Sequence, residues 1–149
     1  MVNVSRTFSV LASQDVAVDY LADFGNAEEW DPGTVSCTRV DSGPVAPGAR
    51  WHNVSKILGR ETELSYILVA KRPDGVVFKG SNRTATSVDD IRVMPMPGGS
   101  RIVYHATIQF RGPTKLVDPV MRLVFELLAA KTANQMTQAL NRHVHQVSR

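Results

Sequence analysis

The chain has 149 residues, of which 43% are hydrophobic and 21% are charged, with a net charge of +3 and a single cysteine, Cys37. This length fits one domain over residues 1–149 with an ordinary hydrophobic core, and the composition argues against a disordered or membrane-spanning chain. A lone cysteine excludes an internal disulfide and a cysteine-based zinc site. The opening segment MVNVSRTFSV has no basic start before an apolar run, so we expect a soluble, cytoplasmic protein.

The positive charge is concentrated late in the chain. Residues 101–149 hold seven basic and two acidic side chains, whereas residues 1–100 hold ten basic and twelve acidic ones. A nucleic-acid site would place clustered Lys and Arg on one face, preferably with interleaved aromatic residues. The late basic residues are instead spread along the sequence, so they are typical of a solvated surface and no nucleic-acid partner is expected.

The first third of the chain predicts one strand and two short helices. Loose alternation of apolar residues over 2–13 predicts a strand, and Ser13 is a suitable N-cap for a helix over QDVAVDYLADF that stops at Gly25. A helical turn over residues 26–29 then leads into the segment EEWDPG. In that segment Trp30 carries a large apolar ring that some part of the fold must cover.

The middle of the chain predicts an antiparallel meander. Turn signals such as RPDG and PMPGGS separate short segments rich in Val, Ile, Thr and Tyr. Alternation in RIVYHATIQF places Tyr104 and Ile108 on one face and His105 on the other, and Leu64, Tyr66 and Leu68 likewise share a face. Six further strands are predicted near residues 34–41, 49–58, 61–71, 75–80, 84–94 and 100–111.

The last thirty residues predict one long helix. Asp118 is a plausible N-cap, Pro119 suits the first helical position, and no Gly or Pro follows. About 30 residues at 1.5 Å each give a helix of roughly 45 Å, enough to cross the sheet. A coiled coil is disfavoured because the apolar positions lose a seven-residue register past Ala130. The residues expected to point toward the sheet are Leu123, Val124, Leu127 and Leu128, and the preceding segment GPTKLVDP could form a hinged lid.

This element order, with a Trp-Asp-Pro turn before the second strand and GARWHNV opening the third, resembles the START-like (SRPBCC) superfamily. More narrowly, it is similar to the polyketide cyclase/dehydrase-like branch of small bacterial proteins. The resemblance implies an α+β helix-grip fold, in which a curved seven-stranded antiparallel sheet of order 1-7-6-5-4-3-2 wraps the long C-terminal helix. It also implies two short helices after the first strand and a cavity between the sheet and the long helix.

The inward faces of this fold would supply a cavity with apolar walls and a few polar groups. Trp30 either tucks under the sheet edge at the cavity mouth or simply plugs a corner of the core. The third strand is ambiguous, because RWHNVSKI does not alternate cleanly: Trp51 and Asn53 face inward, or Arg50 and His52 do. The ligand-binding candidates are Trp30, Trp51, Asn53, Leu64, Tyr66, Leu68, Phe78, Tyr104, Ile108, Leu123 and Leu127.

Three functions are compatible with this sequence. The leading hypothesis is binding of a small hydrophobic molecule of the lipid, polyketide or isoprenoid type. The second is a polyketide cyclase or dehydratase, for which Arg50, His52, Tyr66 and Tyr104 could polarise a carbonyl and move protons. The third is a protein-interaction module whose basic tail NRHVHQVSR docks an acidic partner. No cofactor, no metal and no membrane span are expected, and the protein would be a monomer or a homodimer.

Overall fold

The computed structural model describes residues 1–113 and 118–147 of the chain. Residues 114–117 of the predicted lid and residues 148–149 of the basic tail lie outside the described residues. The elements follow in the order β1 (Val2–Val10), α1 (Gln14–Ala22), a 3₁₀ turn (Phe24–Asn26), α2 (Ala27–Trp30), β2 (Thr34–Arg39), β3 (Arg50–Ile57), β4 (Arg60–Arg72), β5 (Gly75–Ser81), β6 (Ala85–Met96), β7 (Gly99–Phe110) and α3 (Asp118–Val147).

The seven strands form one antiparallel sheet in the order β1-β7-β6-β5-β4-β3-β2. Successive strands from β2 to β7 pair as hairpins, and β1 pairs with β7 over its whole length, from Val2 opposite Ile108 to Val10 opposite Ser100. The predicted α+β helix-grip architecture and its strand order are therefore confirmed.

Side-chain alternation along the strands follows the sequence pattern. In β7, Tyr104 and Ile108 are buried while His105 is exposed, and in β4, Tyr66 and Leu68 are buried while Glu63 is exposed. The pairing of β4 with β5 shifts in register between residues 68 and 70, and that of β2 with β3 shifts between residues 34 and 36. Such irregularities bend and twist a strand, which favours the curvature that a sheet wrapping a helix needs.

One end of the sheet is filled by aromatic side chains around the 3₁₀ turn. The ring of Phe24 lies 4.3 Å from that of Tyr66, 4.5 Å from that of Phe78 and about 6 Å from those of Trp30 and Trp51, centroid to centroid. All five rings are buried. The short helices therefore close this end of the sheet with a solid aromatic core.

The buried side chains of the long helix α3, over residues 119–146, form a single stripe. Ala129, Thr132, Met136 and Leu140 are buried, and their spacing of three or four residues keeps them on one side of the helix. Leu123 and Leu127 are about two-thirds exposed, so the prediction that they face the sheet is wrong. The run LVFELLAA is apolar around most of the helix, and its pattern alone could not show which side packs.

The C-terminal part of α3 also packs against the rest of the fold. The ring of His143 lies 4.7 Å from that of Tyr20 in α1, and the Asn141 side chain accepts a hydrogen bond from the Leu11 backbone at 3.0 Å. Among the described residues, no helix has the length and apolar character needed to cross a bilayer.

Candidate functional site

A cavity of about 590 Å³ lies between the inner face of the sheet and α3. Ligand sites commonly have volumes of about 300–1,000 Å³, so the space is large enough for a small organic molecule. Strands β1, β3, β4, β6 and β7 line it on one side, and the inward stripe of α3 lines it on the other. The helix residues in its wall are Val120, Met121, Phe125, Leu128, Ala129 and Thr132.

The cavity is elongated and its two ends differ. Its wall follows β4 from Arg60 to Tyr66 and β7 from Tyr104 to Phe110, a separation along the chain that corresponds to roughly 20 Å of extended strand in each case. Tyr66 belongs to the aromatic core and Tyr104 is buried beside it, whereas Arg60 is exposed. We therefore call the tyrosine end the closed end and the Arg60 end the mouth.

A carboxyl group, Asp89, lies at the closed end. Its side chain projects from β6 on the same face as Ile91, the whole residue is only 6% exposed, and the Tyr104 hydroxyl donates a hydrogen bond to its Oδ1 at 3.1 Å. Burial, followed by the negative charge of Asp31, raises the pKa of Asp89 to about 7, although the Tyr104 hydrogen bond opposes this rise. Burial and the neighbouring Asp89 carboxylate also raise the pKa of Tyr104 well above its usual value. The closed end therefore holds an acid that exchanges its proton near neutral pH.

A second carboxyl group, Asp31, borders the same cavity from the turn after α2. It accepts hydrogen bonds from the Thr34 hydroxyl at 2.7 Å and from the Gly33 backbone N–H at 3.2 Å, which fix the side chain within its own turn. Burial raises the pKa of Asp31, while these two hydrogen bonds act in the opposite direction. The polar network continues into β3, because the Asn53 Nδ2 donates a hydrogen bond to the Thr34 hydroxyl at 3.1 Å. The Ser55 hydroxyl in turn donates a hydrogen bond to the Asn53 Oδ1 at 2.5 Å.

Trp30 lies at the closed end, so of the two placements that the sequence left open, the cavity mouth and a corner of the core, it takes the second. The indole is 1% exposed, packs edge-on against Phe24, and has its centroid 6.3 Å from that of Tyr104 while bordering the cavity. Trp30 therefore fills a corner of the core and also forms part of the cavity wall. Within the described residues, its Nε1 and that of Trp51 are the buried side-chain polar atoms that have no hydrogen-bond partner.

The structure brings only some of the predicted ligand-binding residues to the cavity wall. Trp51, Asn53, Leu68 and Phe78 point inward and are buried, but they pack in the core beyond the closed end and do not border the cavity. Leu123 and Leu127 lie on the outside of α3. The predicted residues that do form wall are Trp30, Leu64, Tyr66, Tyr104 and Ile108.

The third strand adopts the first of the two predicted orientations. Trp51 and Asn53 are buried, whereas Arg50 is exposed and His52 lies on the outer face with its Nε2 3.3 Å from the Glu63 Oε1. Neither Arg50 nor His52 reaches the cavity, so the acid–base roles considered for them are wrong.

Two carboxyl groups of the closed end, Asp31 and Asp89, were not anticipated from the sequence. The alternation of side chains along a strand could have identified Asp89, because Asp89 shares a strand face with Ser87 and Ile91 in SVDDIRV. Asp31 lies in a turn, where alternation gives no face, so no comparable signal was available for it.

Comparisons with known proteins agree with this architecture. The model of the family described as polyketide cyclase/dehydrase and lipid transport matches residues 1–144. Among solved structures, the Zhui aromatase/cyclase from Streptomyces sp. R1128 is similar with a TM-score of 0.79, 14% identity, and coverage of 95% of this chain and 94% of that one. A START superfamily protein from Mycobacterium smegmatis is similar with a TM-score of 0.72, 16% identity, and coverage of 97% and 98%.

A third similar structure is that of a Thermus thermophilus protein, TTHA0849, with a TM-score of 0.77, 14% identity and 99% coverage of both chains. No match to the chain is found among curated proteins. At these identities the structural likenesses concern the fold alone, and the residues of the cavity must be judged on their own chemistry.

Proposed function

The chain belongs to the polyketide cyclase/dehydrase and lipid transport family, and on that premise we propose that it binds a small hydrophobic molecule, of the lipid, polyketide or isoprenoid type, in the cavity. The observation that carries this proposal is the cavity of about 590 Å³ between the sheet and α3. Its wall is mostly apolar, the carboxyl groups of Asp31 and Asp89 lie at the closed end, and Arg60, Thr62, Asn82 and Thr84 add polar groups toward the mouth. Apolar walls with a few placed polar groups suit a long or flat apolar molecule that carries a polar group.

The energetic cost of such a space supports occupancy. A dry apolar void costs roughly 24 cal/mol per Å³, so about 590 Å³ would cost on the order of 14 kcal/mol. That cost is as large as the whole stability of an ordinary domain, about 5–15 kcal/mol. The space is therefore filled by solvent or by a ligand, and an apolar ligand would release water from apolar walls on entering.

Native mass spectrometry of the purified protein, followed by thermal-shift measurements with fatty acids, isoprenoids and aromatic polyketides, tests the proposal. A bound ligand raises the melting temperature in proportion to the logarithm of its concentration above Kd. The discriminating variant is Ala129→Leu, which fills the cavity from α3, and its matched control is the neighbouring Ala130→Leu on the exposed side of the same helix.

We expect Ala129→Leu to weaken binding at least tenfold and Ala130→Leu to leave it unchanged. The absence of both a co-purified molecule and a thermal shift with any of these ligand classes would count against the proposal. Equal weakening by both substitutions would show that binding occurs outside the cavity.

A second candidate function, a cyclase or dehydratase activity, is favoured by the Asp89–Tyr104 pair. A general acid or base works best when its pKa is close to the working pH, and the pKa of Asp89 is raised to about 7. The Tyr104 hydroxyl at 3.1 Å would orient the carboxyl toward a substrate carbonyl or the adjacent carbon. The test is turnover of a poly-β-ketone substrate by wild type, Asp89→Asn and Tyr104→Phe. Unchanged rates in both variants would exclude this pair from catalysis.

A further inference from the structure

The charges in the cavity wall are separated along its length. Its acidic residues within the described ranges, Asp31 and Asp89, lie at the closed end, whereas the basic residue that lines it there, Arg60, lies at the mouth. The wall residues that α3 contributes carry no ionisable side chain. Among the described residues, therefore, no cation borders the closed end. A molecule that fills the cavity meets two carboxyl groups with its inner end.

Asp89 has hydrogen-bonding capacity that the folded chain leaves unused. The Tyr104 hydroxyl donates to its Oδ1 at 3.1 Å, and its Oδ2 accepts no hydrogen bond from the residues that the structure describes. Among those residues, the fully buried side-chain polar atoms without a partner are the indole nitrogens of Trp30 and Trp51, so Oδ2 is not sealed in the core. Since Asp89 borders the cavity, this oxygen is open to a donor on a bound molecule.

Three titratable groups face the Asp89 carboxyl, and none of them is a cation. Asp31 approaches it from the turn after α2, Tyr66 from β4 and Tyr104 from β7. The neighbouring strand β5 places Phe78 opposite Asp89, and the wall residues of β1 and α3 are not ionisable. When Asp89 ionises, the described part of the chain therefore offers its buried negative charge no counter-ion.

An ionised carboxylate in these surroundings favours a cationic guest. Burial, followed by the charge of Asp31, raises the pKa of Asp89 to about 7. A cation at contact distance counteracts this rise, because an opposite charge stabilises the ionised carboxylate. An ammonium group also brings three N–H donors for the free oxygen of Asp89 and its neighbours. A carboxylate guest would instead add another negative charge and no donor to the same end.

We propose that the cavity selects an amphiphilic amine, whose apolar part fills the cavity and whose ammonium group pairs with Asp89 at the closed end. This inference rests on the proposed function, since it specifies the polar group of the ligand that the cavity binds. Because the ammonium group pairs with the ionised carboxylate, binding of the amine is linked to release of the Asp89 proton.

Calorimetric titration with decylamine, decanol and decanoate tests this selection, because the three probes share one alkyl chain. At pH 8.5 we expect decylamine to bind about tenfold or more tightly than decanol, and decanoate to bind no more tightly than decanol. An alkylammonium group keeps its charge up to about pH 10, whereas Asp89 loses its charge below about pH 7. The ratio of decylamine to decanol affinity should therefore fall about tenfold between pH 8.5 and pH 5.5.

Proton release gives a second measurement on the wild type. At pH 7 about half of the Asp89 carboxyls hold a proton, so binding of decylamine should release about half a proton per molecule bound. This release appears as a dependence of the binding heat on the ionisation enthalpy of the buffer. Binding of decanol should release no proton, because decanol brings no charge to the carboxyl.

The variant that tests the pairing is Asp89→Asn, which keeps the size of the side chain and removes its charge. We expect it to lose both the preference for decylamine over decanol and the proton release, while cooperative urea unfolding shows that the variant is folded. The matched control is Asp90→Asn, which removes the next carboxyl of β6, on the outer face beside Arg92. This control should keep the preference and the proton release.

The outcomes separate this inference from the proposed function. Equal affinity of wild type for decylamine and decanol at pH 8.5, or tighter binding of decanoate than of decylamine, would overturn the selection of an amine and leave the proposed function standing. An unchanged preference in Asp89→Asn, or no proton release at pH 7, would overturn the pairing with Asp89. Failure of all three probes to bind would count against the proposed function and this inference together.

Discussion

Replacement of Asp89 by Asn should change how the stability of the protein depends on pH. Burial, with the charge of Asp31 in second place, raises the pKa of the Asp89 carboxyl from 3.8 to about 7. The folded state therefore holds this proton more tightly than the unfolded state does, and ionisation of the carboxyl costs stability. That cost is absent below about pH 4, grows as pH rises toward 7, and is constant above about pH 7.

The magnitude follows from the size of the shift. A difference of about 3 pH units at roughly 1.36 kcal/mol each predicts a loss of about 4 kcal/mol in the free energy of unfolding between about pH 4 and pH 7. Asn cannot ionise, and its side-chain oxygen can still accept the Tyr104 hydrogen bond that Asp89 accepts at 3.1 Å. The Asp89→Asn variant should therefore lack this part of the decline and be more stable than wild type at pH 8.

Urea unfolding of both proteins at several pH values from 5 to 8 measures this difference. The matched control is Asp90→Asn, the next residue of β6, whose carboxyl lies 3.2 Å from Arg92 Nε on the outer face. Because this control retains Asp89, it should also retain the decline in stability up to pH 7. Parallel stability curves for wild type and Asp89→Asn would refute the reasoning, since they would mean that the buried carboxyl carries no shifted proton equilibrium.

Three further predictions concern the same core. Tyr104→Phe removes the hydroxyl that hydrogen-bonds to Asp89, so we expect a loss of about 1–3 kcal/mol in urea unfolding and a further rise in the pKa of Asp89, visible in the NMR titration of its carboxyl carbon. An unchanged pKa would contradict this role. Gly80→Ala would place a Cβ 2.5 Å from the Tyr66 ring, so it should cost about 1–3 kcal/mol in wild type and less in a Tyr66→Leu background; equal costs would show that the ring is not the obstacle. Burial raises the pKa of the Cys37 thiol to about 12, so it should react with a thiol reagent at pH 8 only after unfolding, and rapid reaction of the native protein would contradict its burial.

The element order and most strand faces could be predicted because they depend on local patterns. Turn residues separate the strands, and alternation correctly placed Tyr66 and Tyr104 on the inner face. Alternation gives the face of a residue but not its position along the strand relative to a cavity. Leu68 and Phe78 were thus assigned to the inner face correctly and to the cavity wrongly.

The chemistry of the closed end depended on contacts between distant parts of the chain. Tyr104 and Asp89 lie on paired strands, and Asp31 reaches the same cavity from a turn far earlier in the sequence. The pKa of Asp89 is raised by its burial and by the charge of Asp31, and both depend on the tertiary structure. No local sequence pattern therefore predicts a titrating group at this position.

The sequence by itself determined a first strand, two short helices, a six-stranded meander and one long helix, because hydrophobic periodicity and turn chemistry act over a few residues at a time. The tertiary structure decided which side of α3 packs, leaving Leu123 and Leu127 exposed, and where the sheet and the helix separate to leave a cavity. Those outcomes depend on the distance between the curved sheet and α3. That distance is set by the summed packing of all the elements and is not encoded in any single one.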